Sequence, residues 1–118
     1  MSLLEQIDNR LDYMEFAVSN IAESKRFYGE VFGWTFTDYG PDYCEFCDGR
    51  MKGGFHTQEP VSTGGALIVL YHSDLESVQE KVLRAGGIIT KEVFEFPGGK
   101  RFQFKDLDGH ELGVWHTT

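Results

Sequence analysis

The sequence predicts an α+β fold made of two βαβββ modules, and three observations carry that prediction. A helix-like segment occurs twice, 54 positions apart: VSNIAESKRFYGEVFGW at 18–34 and HSDLESVQEKVLRAGGI at 72–88. Each copy follows one strand-like run and precedes three more. The runs are separated by residues with recognised turn chemistry, at Gly40-Pro41, Asp48-Gly49, Pro97-Gly98-Gly99 and Asp108-Gly109.

The elements follow in order. LDYMEFAV (11–18) alternates as a half-buried strand does. Ser19-Asn20 then supplies a polar N-cap, and Asn20 with Glu23 resembles a capping box. Ile21, Ser24, Tyr28 and Val31 trace one helix face, widened by Phe27 and Phe32, and Gly33 is placed to stop the helix. WTFTDY, DYCEFCD and RMKGGFH complete the first module, 11–56. TQEPVSTGG reads as a connection, with the linker at 57–64. The second module, 65–116, opens with GALIVLY. Ser73-Asp74 repeats Ser19-Asn20, and Gly87 repeats Gly33. Leu75, Val78, Val82 and Ala85 form the second helix face. IITKEVF, KRFQFKD and HELGVWH are its remaining strands. With one helix per module, one face of each sheet is covered and the other is left for something else. At 118 residues the whole is read as one domain, 1–118.

Composition narrows the function classes. The net charge is 11 − 19 = −8. Phosphate backbones and anionic lipid surfaces need clustered Lys and Arg, so neither is an expected partner. No apolar run reaches a membrane span of about 18–20 residues. MSLLEQIDNR lacks the basic start and apolar core of a signal peptide, so a cytoplasmic location is expected and no role is read into its first residues. Cys44 and Cys47 stand three apart on a strand, where side chains point to opposite faces, and read as two reduced thiols. Neither has a basic neighbour in sequence to activate it, the serines are accounted for by caps, helices and linker, and GGK at 98–100 lacks the spacing of a phosphate loop.

The duplicated βαβββ unit, FAVSNIAESKRFYGEVFGW and FKDLDGHELGVW resemble the vicinal oxygen chelate superfamily over about residues 10–116. That group includes glyoxalase I, extradiol dioxygenases, fosfomycin-resistance enzymes and bleomycin-resistance proteins. The resemblance implies a cupped mixed sheet, a homodimer that often completes the cup, and in metal-binding members four ligands from the first and last strands of each half. It does not imply a reaction, because members share a scaffold and differ in chemistry.

The positions that match the ligands are Tyr13, Gly53 or Gly54, Leu67 and Gly113. Divalent metals seek imidazole and carboxylate donors, and this set offers neither. An offset divalent-metal site near Glu15, His56 and Glu111 is the alternative. His72, His110 and His116 read as surface or capping residues, with His110 on the helix side near a strand end and reaching solvent. Strand alternation puts Tyr13, Glu15, Leu67, Val69, Tyr71, Glu111 and Trp115 on the cup side, and Trp34 could close one edge. For Phe102, Gln103 and Phe104 either orientation remains open.

The expected ligand-binding residues are Tyr13, Glu15, Trp34, Leu67, Tyr71, Glu111 and Trp115. An aromatic lining with two carboxylates suits a flat or cationic organic molecule. The favoured reading is a metal-independent small-molecule-binding protein with no cofactor. The rivals are a glyoxalase-like lyase or isomerase or a dioxygenase relative, and an interaction module whose cup is plugged by its own aromatics.

Overall fold

The computed structural model describes residues 5–118; the reading of the first residues of the chain lies partly outside that range. The element order is β1 (Tyr13–Ala17), α1 (Ile21–Phe32), β2 (Thr35–Asp38), β3 (Tyr43–Cys47), β4 (Lys52–His56), β5 (Ile68–Tyr71), α2 (Leu75–Arg84), β6 (Ile88–Phe96), β7 (Gly99–Lys105) and β8 (Glu111–Thr117). Two compact units divide between Ser62 and Thr63, inside the stretch read as the linker.

In the first unit the strands run β1-β4-β3-β2, with β1 and β4 parallel and the other pairs antiparallel. α1 begins where the Asn20 side chain accepts a hydrogen bond from the Glu23 backbone N–H at 3.0 Å. It ends at Gly33, whose φ of 73° turns the chain left-handed while its N–H returns to the Gly29 carbonyl. Ser24, Phe27, Tyr28 and Val31 are the buried stripe of this helix. They meet Phe16, Cys44, Phe46 and Phe55, all buried, which therefore mark the covered face of the sheet.

The second unit repeats the plan as β5-β8-β7-β6, again with one parallel pair. Asp74 caps α2 by accepting from the Ser77 N–H at 3.2 Å. The ending differs from α1 by one position. The left-handed residue is Gly86 (φ 102°), and the N–H groups of Gly86 and Gly87 bond the carbonyls of Leu83 and Val82. That pair of bonds places the turn one residue before the glycine matched from sequence. Leu75, Val78, Val82 and Ala85 pack over Phe102, Phe104, Leu112 and Val114, every one of them buried. The orientation of β7 is thereby decided: the two phenylalanines face the helix and Gln103 faces away.

His110 differs from expectation. It is only 7% exposed, because the turn before β8 folds inward, with the His110 N–H bonded to the Asp106 carboxylate at 2.9 Å. The thiol of Cys44 is buried and that of Cys47 half-buried, and both are free. Burial and the neighbouring Asp38 carboxylate push the Cys44 thiol up to about 11. Among the described residues no helix is long and apolar enough to cross a membrane.

Candidate functional site

The face of each sheet turned away from its helix is where unexplained polar and aromatic side chains collect. In the first unit, alternation along β1 places Tyr13, Glu15 and Ala17 there. Pairing through β4 and β3 aligns Glu15, Gly54, Glu45 and Thr37 in one row. The two adjacent glycines are resolved by what surrounds them. A methyl group on Gly53 would meet the Phe46 ring, so Gly53 belongs to the covered face. One on Gly54 would meet the phenol of Tyr43, whose ring lies across that strand on the open face.

Tyr43 thus fills the space a side chain at 54 would take, and its hydroxyl becomes the centre of a network. It donates to Glu15 Oε2 at 2.7 Å and lies 2.6 Å from the Tyr13 hydroxyl. A phenol has one proton to give. With Tyr43 donating to Glu15, the short tyrosine contact requires Tyr13 to donate to Tyr43. The chain of donors therefore runs Tyr13 to Tyr43 to Glu15. Tyr13 also lies 3.5 Å from Glu45, and Lys52 reaches Glu45 at 3.5 Å.

Electrostatics keep both phenols neutral. Burial raises the Tyr13 hydroxyl, against the bond to Tyr43, and the charges of Glu45 and Glu15 raise it further. Burial, the Tyr13 contact and the Glu15 carboxylate push Tyr43 far above the ordinary phenol range. A groove of about 360 Å³ adjoins the network, bounded by Leu11, Asp12, Tyr13, Glu45, Arg50 and Lys52.

In the second unit one row of the open face is Tyr71, Trp115, Arg101 and Phe94, and the next is Val69, Gly113, Gln103 and Lys91. Tyr71 meets Trp115 edge-on, with ring centres 5.3 Å apart, and its hydroxyl bonds His116 Nδ1 at 3.1 Å. Glu111 is held by the Thr90 hydroxyl at 2.5 Å and the Gln103 amide at 3.1 Å. These two donors hold its carboxyl below the usual glutamate range. Register shifts in β6 on either side of Lys91 twist that strand as bulges do, and Thr90 beside the first shift reaches Glu111. A further groove of about 360 Å³ beside α2, with Asp74, Glu76, Gln79, Glu92 and Lys100 in its walls, contains none of these open-face residues.

Of the residues singled out from sequence, Tyr13 and Glu15 stand together on the first open face. Tyr71, Glu111 and Trp115 stand on the second, and Leu67 lies just before β5, 36% exposed. Trp34 is on the other side. It is stacked between Tyr28 and Phe46 at 4.7 and 4.6 Å, because it precedes β2 and falls toward the helix. It cannot edge the open face. Sequence reasoning passed over Tyr43, Glu45, Lys52 and Arg101, and left the orientation of Gln103 open. Alternation in DYCEFCD would have placed Tyr43 and Glu45 opposite Cys44 and Phe46.

A sequence profile of the Glyoxalase/Bleomycin resistance protein/Dioxygenase superfamily matches residues 10–114. The chain belongs to that superfamily. Solved structures share its fold. Fosfomycin resistance protein FosX from Mesorhizobium loti is 19% identical, with 95% of each chain covered and a TM-score of 0.78. A glyoxalase-related enzyme from Fulvimarina pelagi is 20% identical, with 92% of this chain and 88% of that chain covered and a TM-score of 0.78. A virulence protein from Salmonella typhimurium is 25% identical, with 96% and 100% covered and a TM-score of 0.73. No curated protein matches.

The metal implied by superfamily resemblance does not suit the residues present. Of the four matching positions, Gly54, Leu67 and Gly113 bring no donor atom, and Tyr13 brings a phenol held in its neutral form. Among the described residues no three His, Cys, Asp or Glu side chains are gathered as a metal ion would require.

Proposed function

We propose that this superfamily member is a metal-independent small-molecule-binding protein of the glyoxalase/bleomycin-resistance type, holding an organic, flat or cationic guest against its aromatic-lined sheet faces. The observation that supports this most is the Tyr13–Tyr43–Glu15 chain of hydrogen bonds. It stands at two of the positions where metal donors would be required. Neutral phenols beside the carboxylates of Glu15 and Glu45 offer acceptors and π-faces to a cation without offering a metal a filled coordination shell. A homodimer in the cytoplasm is part of the same reading, the dimer supported by superfamily membership.

The rival reading is a glyoxalase-like lyase or isomerase, or a dioxygenase relative, using an offset divalent-metal site. One observation favours it: His56 Nδ1 is buried and has no hydrogen-bond partner among the described residues.

Metal analysis separates the two. Protein grown with added zinc, nickel, manganese and iron is expected to carry far less than one equivalent of any metal, with a melting temperature unmoved by EDTA. A stoichiometric metal that disappears in Glu15→Ala or Glu111→Ala would overturn the proposal. Thermal-shift screening with aromatic ammonium compounds is expected to raise Tm in the native chain and not in Glu15→Gln. Silence across such a panel would favour an interaction module.

A further inference from the structure

Arg101 stands on the open face of the second unit among aromatic rings. Its guanidinium carbon lies 5.2 Å from the centre of the Phe94 ring and 5.9 Å from that of Phe96. Phe96 in turn approaches Trp115, with ring centres 6.3 Å apart. The aromatic shelf removes water from the stem of the side chain, so that Arg101 Nε is buried and has no hydrogen-bond partner among the described residues. No carboxylate lies within ion-pair distance of it there. Its own row, Tyr71–Trp115–Arg101–Phe94, contains no acid, and neither does the next, Val69–Gly113–Gln103–Lys91. Glu111, at the start of β8, turns its Oε2 to Thr90 and Gln103.

An unpaired buried donor on a charged group is costly, and proteins rarely leave one without a use. A guanidinium is always charged and presents a planar fork that matches a carboxylate. In the next row Gly113 is buried, with the Val69 and Gln103 side chains 3.6 and 3.7 Å from where a Cβ would stand. Trp115 and Tyr71, edge-on to each other in Arg101's own row, offer aromatic surface, and Tyr71 is 55% exposed. Lys91, 5.9 Å from the Phe94 ring centre on the far side of the row, adds to the positive field.

We propose that the open face of the second unit is a receptor for an aromatic carboxylate, with the carboxylate on Arg101 and the ring against Tyr71 and Trp115. This rests on the reading of the open faces as ligand sites and sharpens it: the second unit selects an anion, although the chain as a whole carries a net charge of −8.

The test compares three probes of one shape on the full chain by titration calorimetry: 2-naphthoate, 2-naphthamide and 2-naphthylmethylammonium. The expected result is that naphthoate binds at least tenfold more tightly than the amide. It should also shift the Arg101 Nε–H resonance in ¹⁵N spectra. Arg101→Gln should abolish the preference for carboxylate over amide, and Arg101→Lys should retain part of it. Equal binding of amide and carboxylate in the native chain, or a preference that survives Arg101→Gln, overturns the inference without any appeal to a variant that fails to fold. Binding of the ammonium probe alone, lost in Glu15→Gln, overturns it and leaves the small-molecule reading standing. Silence from all three probes overturns both.

Discussion

Gly53 and Gly54 are neighbours in sequence with opposite surroundings. An added methyl at Gly53 would run into the Met14 backbone carbonyl as well as the Phe46 ring, and a backbone atom cannot step aside. At Gly54 it would meet only the Tyr43 ring, a side chain on an open face that can rotate away. Gly53→Ala is therefore expected to cost about 2–3 kcal/mol by denaturant unfolding, within the range for overpacked sites. Gly54→Ala should cost about 1 kcal/mol, mainly from losing the Tyr43 contact with Glu15. Equal losses would show that the Tyr43 ring is not free to move. Glu111 carries the pH prediction. Its folded carboxyl titrates below the ordinary value, so its contribution is complete above the unfolded pKa of about 4.3 and is lost as the pH falls through the depressed folded value. The stability difference between the native chain and Glu111→Gln should be constant near neutrality and close up in acid below that point. A difference that widened in acid would contradict the Thr90 and Gln103 assignment.

Elements end where their caps allow. Asn20 and Asp74 each satisfy one orphan N–H of the first helical turn, so Asn20→Ala and Asp74→Ala should each cost about 1 kcal/mol. Gly33→Ala and Gly86→Ala force a side chain into a left-handed backbone and should each cost about 1 kcal/mol too. Urea midpoints of the four variants test both ends of both helices. Repeat matching put Gly87 opposite Gly33, and the structure puts the left-handed turn at Gly86. The reason is local: two consecutive glycines let the chain choose its pivot, and the paired bonds to Leu83 and Val82 form only with the earlier one. Strand alternation proved readable wherever a strand had one plainly apolar face. It failed to decide β7, where Phe102 and Phe104 could have been either core or lining. Trp34, expected to close one edge from its place at the start of the second strand, lies outside β2 and owes its position to stacking on Tyr28 and Phe46.

At the scale of the molecule, charge and superfamily membership set the boundaries. A net charge of −8 and a pI near 4.8 should leave the protein unretained on a heparin column at physiological salt. Its solubility should be lowest near pH 4.8, where self-repulsion vanishes. Retention on heparin would mean that the cations, Arg101 among them, form a larger basic surface than the sequence suggests. The superfamily is established by residues 10–114, while structural neighbours near 20% identity speak to fold alone.

The repeat, the caps, the superfamily and the mismatch of Tyr13, Leu67 and the glycines with metal donors were all determined by the sequence itself. These depend on residue type and spacing within a few turns of chain. The sequence also held Tyr13 and Glu15 on one face, since alternation along a single strand needs no partner. Only the tertiary structure decided that Tyr43 reaches over Gly54 to join them, that Trp34 belongs to the core, that His110 is buried, and that Arg101 stands over aromatic rings with no acid paired to it among the described residues. Each of these depends on which strands lie next to one another and in what register. That information resides in pairing across the sheet, and no local pattern along the chain encodes it.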